Sequence, residues 1–82
     1  MESVLNEYGV LGSLLIDPSL FPEAAELSDK VFSSLPLQEI FRAMCRQYEE
    51  SGGFDALTVR AEAGRNCTDV TDKLLVGMMD TT

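Results

Sequence analysis

The sequence predicts an all-α fold, a compact bundle of about five short helices. Three observations carry that reading. Apolar residues recur at spacings of three and four along most of the chain. No run alternates strictly for long enough to argue for a strand. Proline, glycine and capping residues interrupt the apolar stripes at helix-sized intervals.

The first helix is expected from about Ser3, with Val4, Leu5, Tyr8, Leu11, Gly12, Leu15 and Ile16 on one face. It stops at Asp17-Pro18, because the residue before a proline disfavours the α conformation. A short second helix covers about Ser19 to Leu27. Pro22 fits in its first turn, where a backbone N–H has no intrahelical partner, and Phe21, Ala24, Ala25 and Leu27 are its core candidates. Ser28 to Ser33 form a connector that delivers Phe32 into the core as a plug. The third helix has the clearest pattern: Ser34 is placed to cap it, Pro36 lies in its first turn, and Leu37, Ile40, Phe41, Met44, Cys45 and Tyr48 repeat at three and four. Gly52-Gly53 ends it. Asp55 caps a fourth helix, Ala56 to Ala63, which Gly64 stops. After a loop from Arg65 to Thr68, a fifth helix runs from about Asp69 to Asp80, with Val70, Leu74, Leu75, Met78 and Met79 spread over nearly half its circumference. Leu11, Leu15, Phe32, Ile40, Phe41 and Met44 are assigned to one shared core. Gly12 reads as a place where another helix comes close.

Residues 1–82 carry no internal repeat, low-complexity tract or linker and are read as a single helical domain. Fourteen acidic against six basic side chains give a formal charge of −8, which repels a nucleic-acid backbone at long range. Most of the cations also have acids at neighbouring helical positions: Arg42 has Glu39, Arg46 has Glu49 or Glu50, Arg65 has Glu62 and Lys73 has Asp69. Arg60 alone lacks such a neighbour on its own face. Direct nucleic-acid binding by this segment is therefore not expected. The longest apolar stretches, Val10 to Ile16 and Leu74 to Met79, fall far short of the roughly 18 residues that span a bilayer. With no Lys or Arg before Lys30 there is no basic lead-in for a secretory signal. A cytoplasmic protein without membrane contact is expected.

The absence of histidine removes the commonest general base near neutral pH. The carboxylates are scattered and read as solvated surface, since catalytic carboxylates need an apolar pocket to shift their pKa. Cys45 reads as a buried thiol in an apolar stripe and Cys67 as a free thiol in a polar loop; neither belongs to a CxxC pair, so zinc is not expected. There is no GxxxxGK[ST] or GxGxxG loop to hold ATP or a dinucleotide. The chain is read as non-enzymatic, with no catalytic, cofactor-binding or metal site. Size, acidity and helicity also suit an acyl carrier protein, but that family places Asp-Ser-Leu at a later helix start, whereas Asp17-Pro18-Ser19-Leu20 is early and carries an inserted proline. A generic helical adaptor is the other alternative.

Three blocks carry a further likeness. Glu7 to Pro18 reads Glu-Tyr-Gly-Val-Leu-Gly-Ser-Leu-Leu-Ile-Asp-Pro; Phe32 is followed by Ile40-Phe41, Ala43-Met44 and Tyr48; and Gly53-Phe54-Asp55-Ala56-Leu57-Thr58 opens the next helix. In order and spacing these resemble the N-terminal domain of DnaB-like replicative DNA helicases, with Leu37 where that family often has histidine. The resemblance implies the globular head of a longer helicase, cut before a helical hairpin and before a C-terminal ATPase domain that would hold ATP and magnesium. It implies a role in protein assembly: the heads form a collar on a hexameric ring, contact other ring subunits, and help to recruit primase and respond to the loader. The parent would unwind DNA in replication.

Val10 and Leu14 lie off the main stripe of the first helix, and Val76 and Met79 sit at the edge of the broad apolar arc of the fifth. These four are the candidate protein interface, toward a neighbouring subunit or the hairpin. The chain is predicted to show no ATP hydrolysis and no measurable affinity for single-stranded or forked DNA at about 0.15 M salt, where the Debye length is roughly 8 Å. Fluorescence titration checks this, and tight, salt-sensitive binding would contradict it.

Overall fold

A computed structural model describes residues 2–24 and 32–81 of the chain. The elements are α1 (Glu2–Ile16), a 3-10 turn (Pro18–Leu20), α2 (Phe21–Ala24), α3 (Leu35–Ser51), α4 (Ala56–Asn66) and α5 (Asp72–Thr81). No strand occurs among the described residues, so the fold is all-α. The first and last helices, α1 and α5, form the most extensive pairing, and α3 pairs with α4; α1 also meets α3, and α4 meets α5. The molecule measures 33 × 26 × 23 Å.

Local chemistry explains each boundary. Asp17 ends α1 and turns the chain: its carboxylate accepts from Ser19 N at 3.2 Å and Ser19 Oγ at 2.5 Å, with Pro18 opening the 3-10 turn. Pro22 falls in the first turn of α2, and Phe21 and Ala24 are buried. Ala25, Leu27 and most of the connector fall within residues 25–31, which lie outside the described residues. Ser34 occupies the N-cap of α3 but its side chain makes no capping bond. Gln38 instead reaches back to the Phe32 carbonyl, Nε2 to O 2.9 Å. At the far end Gly52 takes a left-handed φ of 76° and its N–H donates to Tyr48 O at 2.8 Å, a conformation in which a side chain would be strained.

Three boundaries depart from expectation: α2 starts at Phe21 rather than Ser19, which the 3-10 turn takes up, and two more lie further along the chain. Gly64 does not stop α4, which continues to Asn66. The next turn is held because Cys67 N donates to Ala63 O at 3.0 Å and the Cys67 side chain is buried beside the core. Cys67 is therefore a packed thiol rather than a loop residue in solvent. The fifth helix starts at Asp72 instead of Asp69, because Asp69 lies in the turn after Cys67 and Thr71 is the cap, its hydroxyl accepting from Leu74 N at 3.2 Å.

The core contains Leu11 and Leu15 of α1, Phe32, and Leu37, Ile40, Phe41, Ala43 and Met44 of α3. Val59, Ala63, Cys67, Val70, Leu75 and Met78 complete it from the C-terminal half. Phe21 anchors an aromatic cluster, its ring 4.9 Å from Tyr48, 5.8 Å from Phe41 and 5.5 Å edge-on to Phe54, while Phe32 stands 5.2 Å from Phe41. Ring pairs at these separations contribute about 0.5–1.5 kcal/mol beyond burial. Ile16, expected on the buried face, is 58% exposed, and Leu14, expected off it, is buried. Leu11, Leu14 and Leu15 form a contiguous arc, and Ile16 lies about 100° beyond Leu15.

Gly12 is buried where α1 meets α5. A β-carbon added there would lie 2.2 Å from Met78 O and 2.8 Å from Met78 C. Both are backbone atoms and cannot turn aside. Gly9, three residues earlier on the same helix, has nothing within 4 Å of the equivalent position. Gly12→Ala is predicted to destabilise the domain by about 3 kcal/mol or more, the upper end of overpacking costs. Gly9→Ala should stabilise it by about 0.5–1 kcal/mol through helix propensity. Urea unfolding of the two variants checks the pair, and equal effects would contradict the close crossing.

Candidate interaction surface

Glu7 is the one charged side chain buried among the described residues, at 8% exposure. Its Oε1 accepts from Ser33 N at 2.7 Å and from Ser33 Oγ at 3.2 Å, tying α1 to the segment that leads into α3. Reading the carboxylates as scattered surface charge missed it; its place within the apolar stripe of α1 was the available signal.

The cations meet carboxylates mainly across helices. Arg42 pairs with Glu39 at 2.7 Å, as its spacing suggested. Arg46 reaches Glu62 of α4 at 3.4 Å rather than Glu49 or Glu50, and Arg60 reaches Asp72 of α5 at 2.7 Å, so the neighbour it lacks on its own helix comes from the next one. The Arg60 Nε approach is off-axis, making an ion contact without a hydrogen bond. Pairs this exposed contribute about 0–1 kcal/mol each.

The four candidate interface residues separate into three situations. Leu14 is 3% exposed and belongs to the core, which corrects its assignment to an outer stripe: α3 and α5 both contact α1 and extend the buried arc to it. Val10 is 38% exposed. It stands two residues from Gly12, about 160° away around the helix, and so points away from the α5 crossing. Val76 is 52% exposed on α5, whereas Met79 is partly buried and packed against the core. Val10 and Val76 are thus exposed on different helices, α1 and α5. Leu57, which the sequence reading did not single out, is 70% exposed on α4.

A groove of about 550 Å³ opens between the end of α3 and the start of α4. Gln47 braces it: Nε2 donates to Thr58 O at 2.9 Å and to Glu62 Oε1 at 3.0 Å, and Oε1 accepts from Thr58 Oγ1 at 2.7 Å. Asp55 and Thr58 close a reciprocal cap at the mouth, Thr58 N to Asp55 Oδ1 2.8 Å and Asp55 N to Thr58 Oγ1 3.2 Å. The cap was legible as Asp-x-x-Thr; Gln47 gave no sequence signal. Among the described residues no three Cys, Asp or Glu side chains are grouped to hold a metal, and no helix is long and apolar enough to cross a membrane.

The family model for the DnaB-like helicase N terminal domain matches residues 1–81. The chain belongs to that family. The replicative DNA helicase DnaB of Rhodothermus marinus is 42% identical over 65 residues, which are 78% of this chain and 7% of that protein. The chain therefore spans a small fraction of its relative's length. No solved structure matches it. In this DnaB-like domain the three blocks that carry the likeness are architectural: Glu7, Gly12 and Asp17 tie, pack and terminate α1; Phe32, Ile40, Phe41 and Met44 fill the core; Asp55 and Thr58 cap α4.

Removing the buried carboxylate as Glu7→Ala is predicted to cost about 1.5–3 kcal/mol, the range for hydrogen bonds to a charged group. Glu7→Gln, which keeps an acceptor oxygen, should retain more than half of that stability. Thermal unfolding distinguishes the two, and identical losses would mean that the Ser33 bonds contribute nothing.

Proposed function

We propose that this domain is an assembly module of a replicative DNA helicase. It packs against other subunits of the helicase ring as part of an N-terminal collar, and offers contacts to primase and to the helicase loader. ATP-dependent unwinding of DNA, with ATP and magnesium, belongs to a C-terminal ATPase domain, and the domain itself does no catalysis. A cytoplasmic location goes with that role. The family match over residues 1–81 carries the proposal, and the name of the Rhodothermus relative supports the link to replication.

The surface agrees with such a role. A chain at −8 repels its own copies, so self-assembly favours contacts through uncharged side chains. Val76 offers one on α5 and Val10 one on α1. Met79 is a weaker handle than its sequence position suggested, because it already packs against the core.

In a longer protein that carries this domain with its hairpin, Val76→Asp is predicted to weaken assembly while leaving helical content unchanged. Sedimentation velocity and circular dichroism provide the two readouts. Unaltered sedimentation would remove α5 from the interface, and loss of helicity would place Val76 in the fold.

A further inference from the structure

The outer face of α4 departs from the usual pattern of a surface helix, which turns apolar side chains to the core and polar ones to solvent. Val59 and Ala63 supply its core side. Leu57, Ala61 and Arg65 recur at every fourth position, lie roughly 160–240° around the helix from Val59, and are all exposed. Leu57 is the most exposed large apolar side chain among the described residues. None of the three lines the groove between α3 and α4.

The charge on this face runs against the rest of the chain. Glu62, the acid expected beside Arg65, has both oxygens engaged elsewhere: Oε2 faces Arg46 Nε at 3.4 Å and Oε1 accepts from Gln47 Nε2 at 3.0 Å. The Arg65 side chain is left exposed, with neither a hydrogen bond nor an ion pair among the described residues. With two arginines against one glutamate, α4 is the only described helix of net positive charge, in a chain at −8. At about 0.15 M salt, charges more than roughly 8 Å away are largely screened, so an occupant touching α4 feels Arg65 more than the distant acids.

We propose that the face formed by Leu57, Ala61 and Arg65 docks an acidic amphipathic helix of a protein partner. Charge complementarity selects the occupant: an unpaired guanidinium beside exposed apolar side chains favours a surface that offers a carboxylate next to apolar groups. An amphipathic helix presents both at the spacing of α4 itself, because its neighbours also recur at three and four. Ala61, between Leu57 and Arg65, has a small side chain and lets such a helix come close. An anionic membrane fits less well, since a single leucine buries little of the apolar area that interfacial binding scales with. The inference rests on the reading of this domain as a protein-interaction module and names the chemistry of one partner.

The test is an NMR titration of the ¹⁵N-labelled chain with acetyl-Glu-Leu-Glu-Ala-Leu-Leu-Glu-Glu-Leu-Glu-Ala-Leu-amide, and with the same peptide carrying glutamine in place of every glutamate. The acidic peptide should shift the amides of Leu57, Ala61, Gly64 and Arg65, and the glutamine peptide should bind several times more weakly. Arg65→Gln should weaken binding of the acidic peptide roughly fivefold, the upper end for an exposed ion pair, and leave the glutamine peptide unaffected. Leu57→Ser should weaken both peptides roughly tenfold, as expected when a buried leucine contact is lost. Lys73→Gln, an exposed cation on α5, and Leu35→Ser, an exposed leucine on α3, should each change affinity less than about twofold. All four side chains are exposed, and unchanged circular dichroism verifies that each variant keeps the fold. Shifts away from α4, equal losses for Arg65→Gln and Lys73→Gln, equal affinity for the two peptides, or no binding at all would each overturn the proposal. So would stronger shifts with phosphatidylserine vesicles, or self-association of the free chain that Leu57→Ser abolishes, which would give the face to a membrane or to a second copy. Because Val76 is not involved, such a failure leaves the ring-assembly reading to its own sedimentation test.

Discussion

The crossing of α1 over α5 at Gly12 is the constraint on which the rest of the fold depends. Two helices from opposite ends of the chain come so close that a β-carbon on one would overlap a carbonyl of the other. That contact closes the bundle, because α1 and α5 make the most extensive pairing while α5 meets α4 only lightly. It also sets the rotation of both helices. With Gly12 facing α5, Leu11, Leu14 and Leu15 turn toward the core and Val10 turns away; Leu75 and Met78 turn inward and Val76 outward.

The polar groups work around that frame. Glu7 holds the entry to α3, the Asp17 cap turns the chain after α1, and Gln47 with the Asp55 and Thr58 cap holds α3 against α4. Each of these groups satisfies backbone or side-chain atoms at a junction. The surface keeps isolated exposed apolar side chains, Val10 and Val76 among them, and an acidic groove at the α3–α4 junction.

Helix identity was legible in the sequence because apolar periodicity and cap chemistry agree for α1, α3 and α4: the Asp17-Pro18 stop, the Gly52 stop and the Asp55 cap all occur where expected. Gly12 was legible as a close-approach point, though not its partner, since helix pairing depends on long-range packing that no local pattern records. The ends of α4 and α5 were misplaced because Gly64 and Asp69 carry boundary-type chemistry, while the burial of Cys67 and the hydroxyl of Thr71 decide the outcome. Of the candidate interface, Leu14 failed for a related reason. Two neighbouring helices cover α1 and widen its buried arc beyond one stripe. The groove had no sequence signature, because it forms between two helices from residues that are individually ordinary surface side chains.

If the α1–α5 crossing closes the fold, the two helices open only when the whole domain unfolds. Native-state hydrogen exchange reads this directly. The amides of Leu15 in α1 and Met78 in α5 are predicted to exchange with the same opening free energy, equal to that of global unfolding by denaturant. If Met78 exchanged at a much lower free energy while Leu15 and Phe41 remained protected, α5 would be an appendage to a bundle that stands without it, and the account would be contradicted.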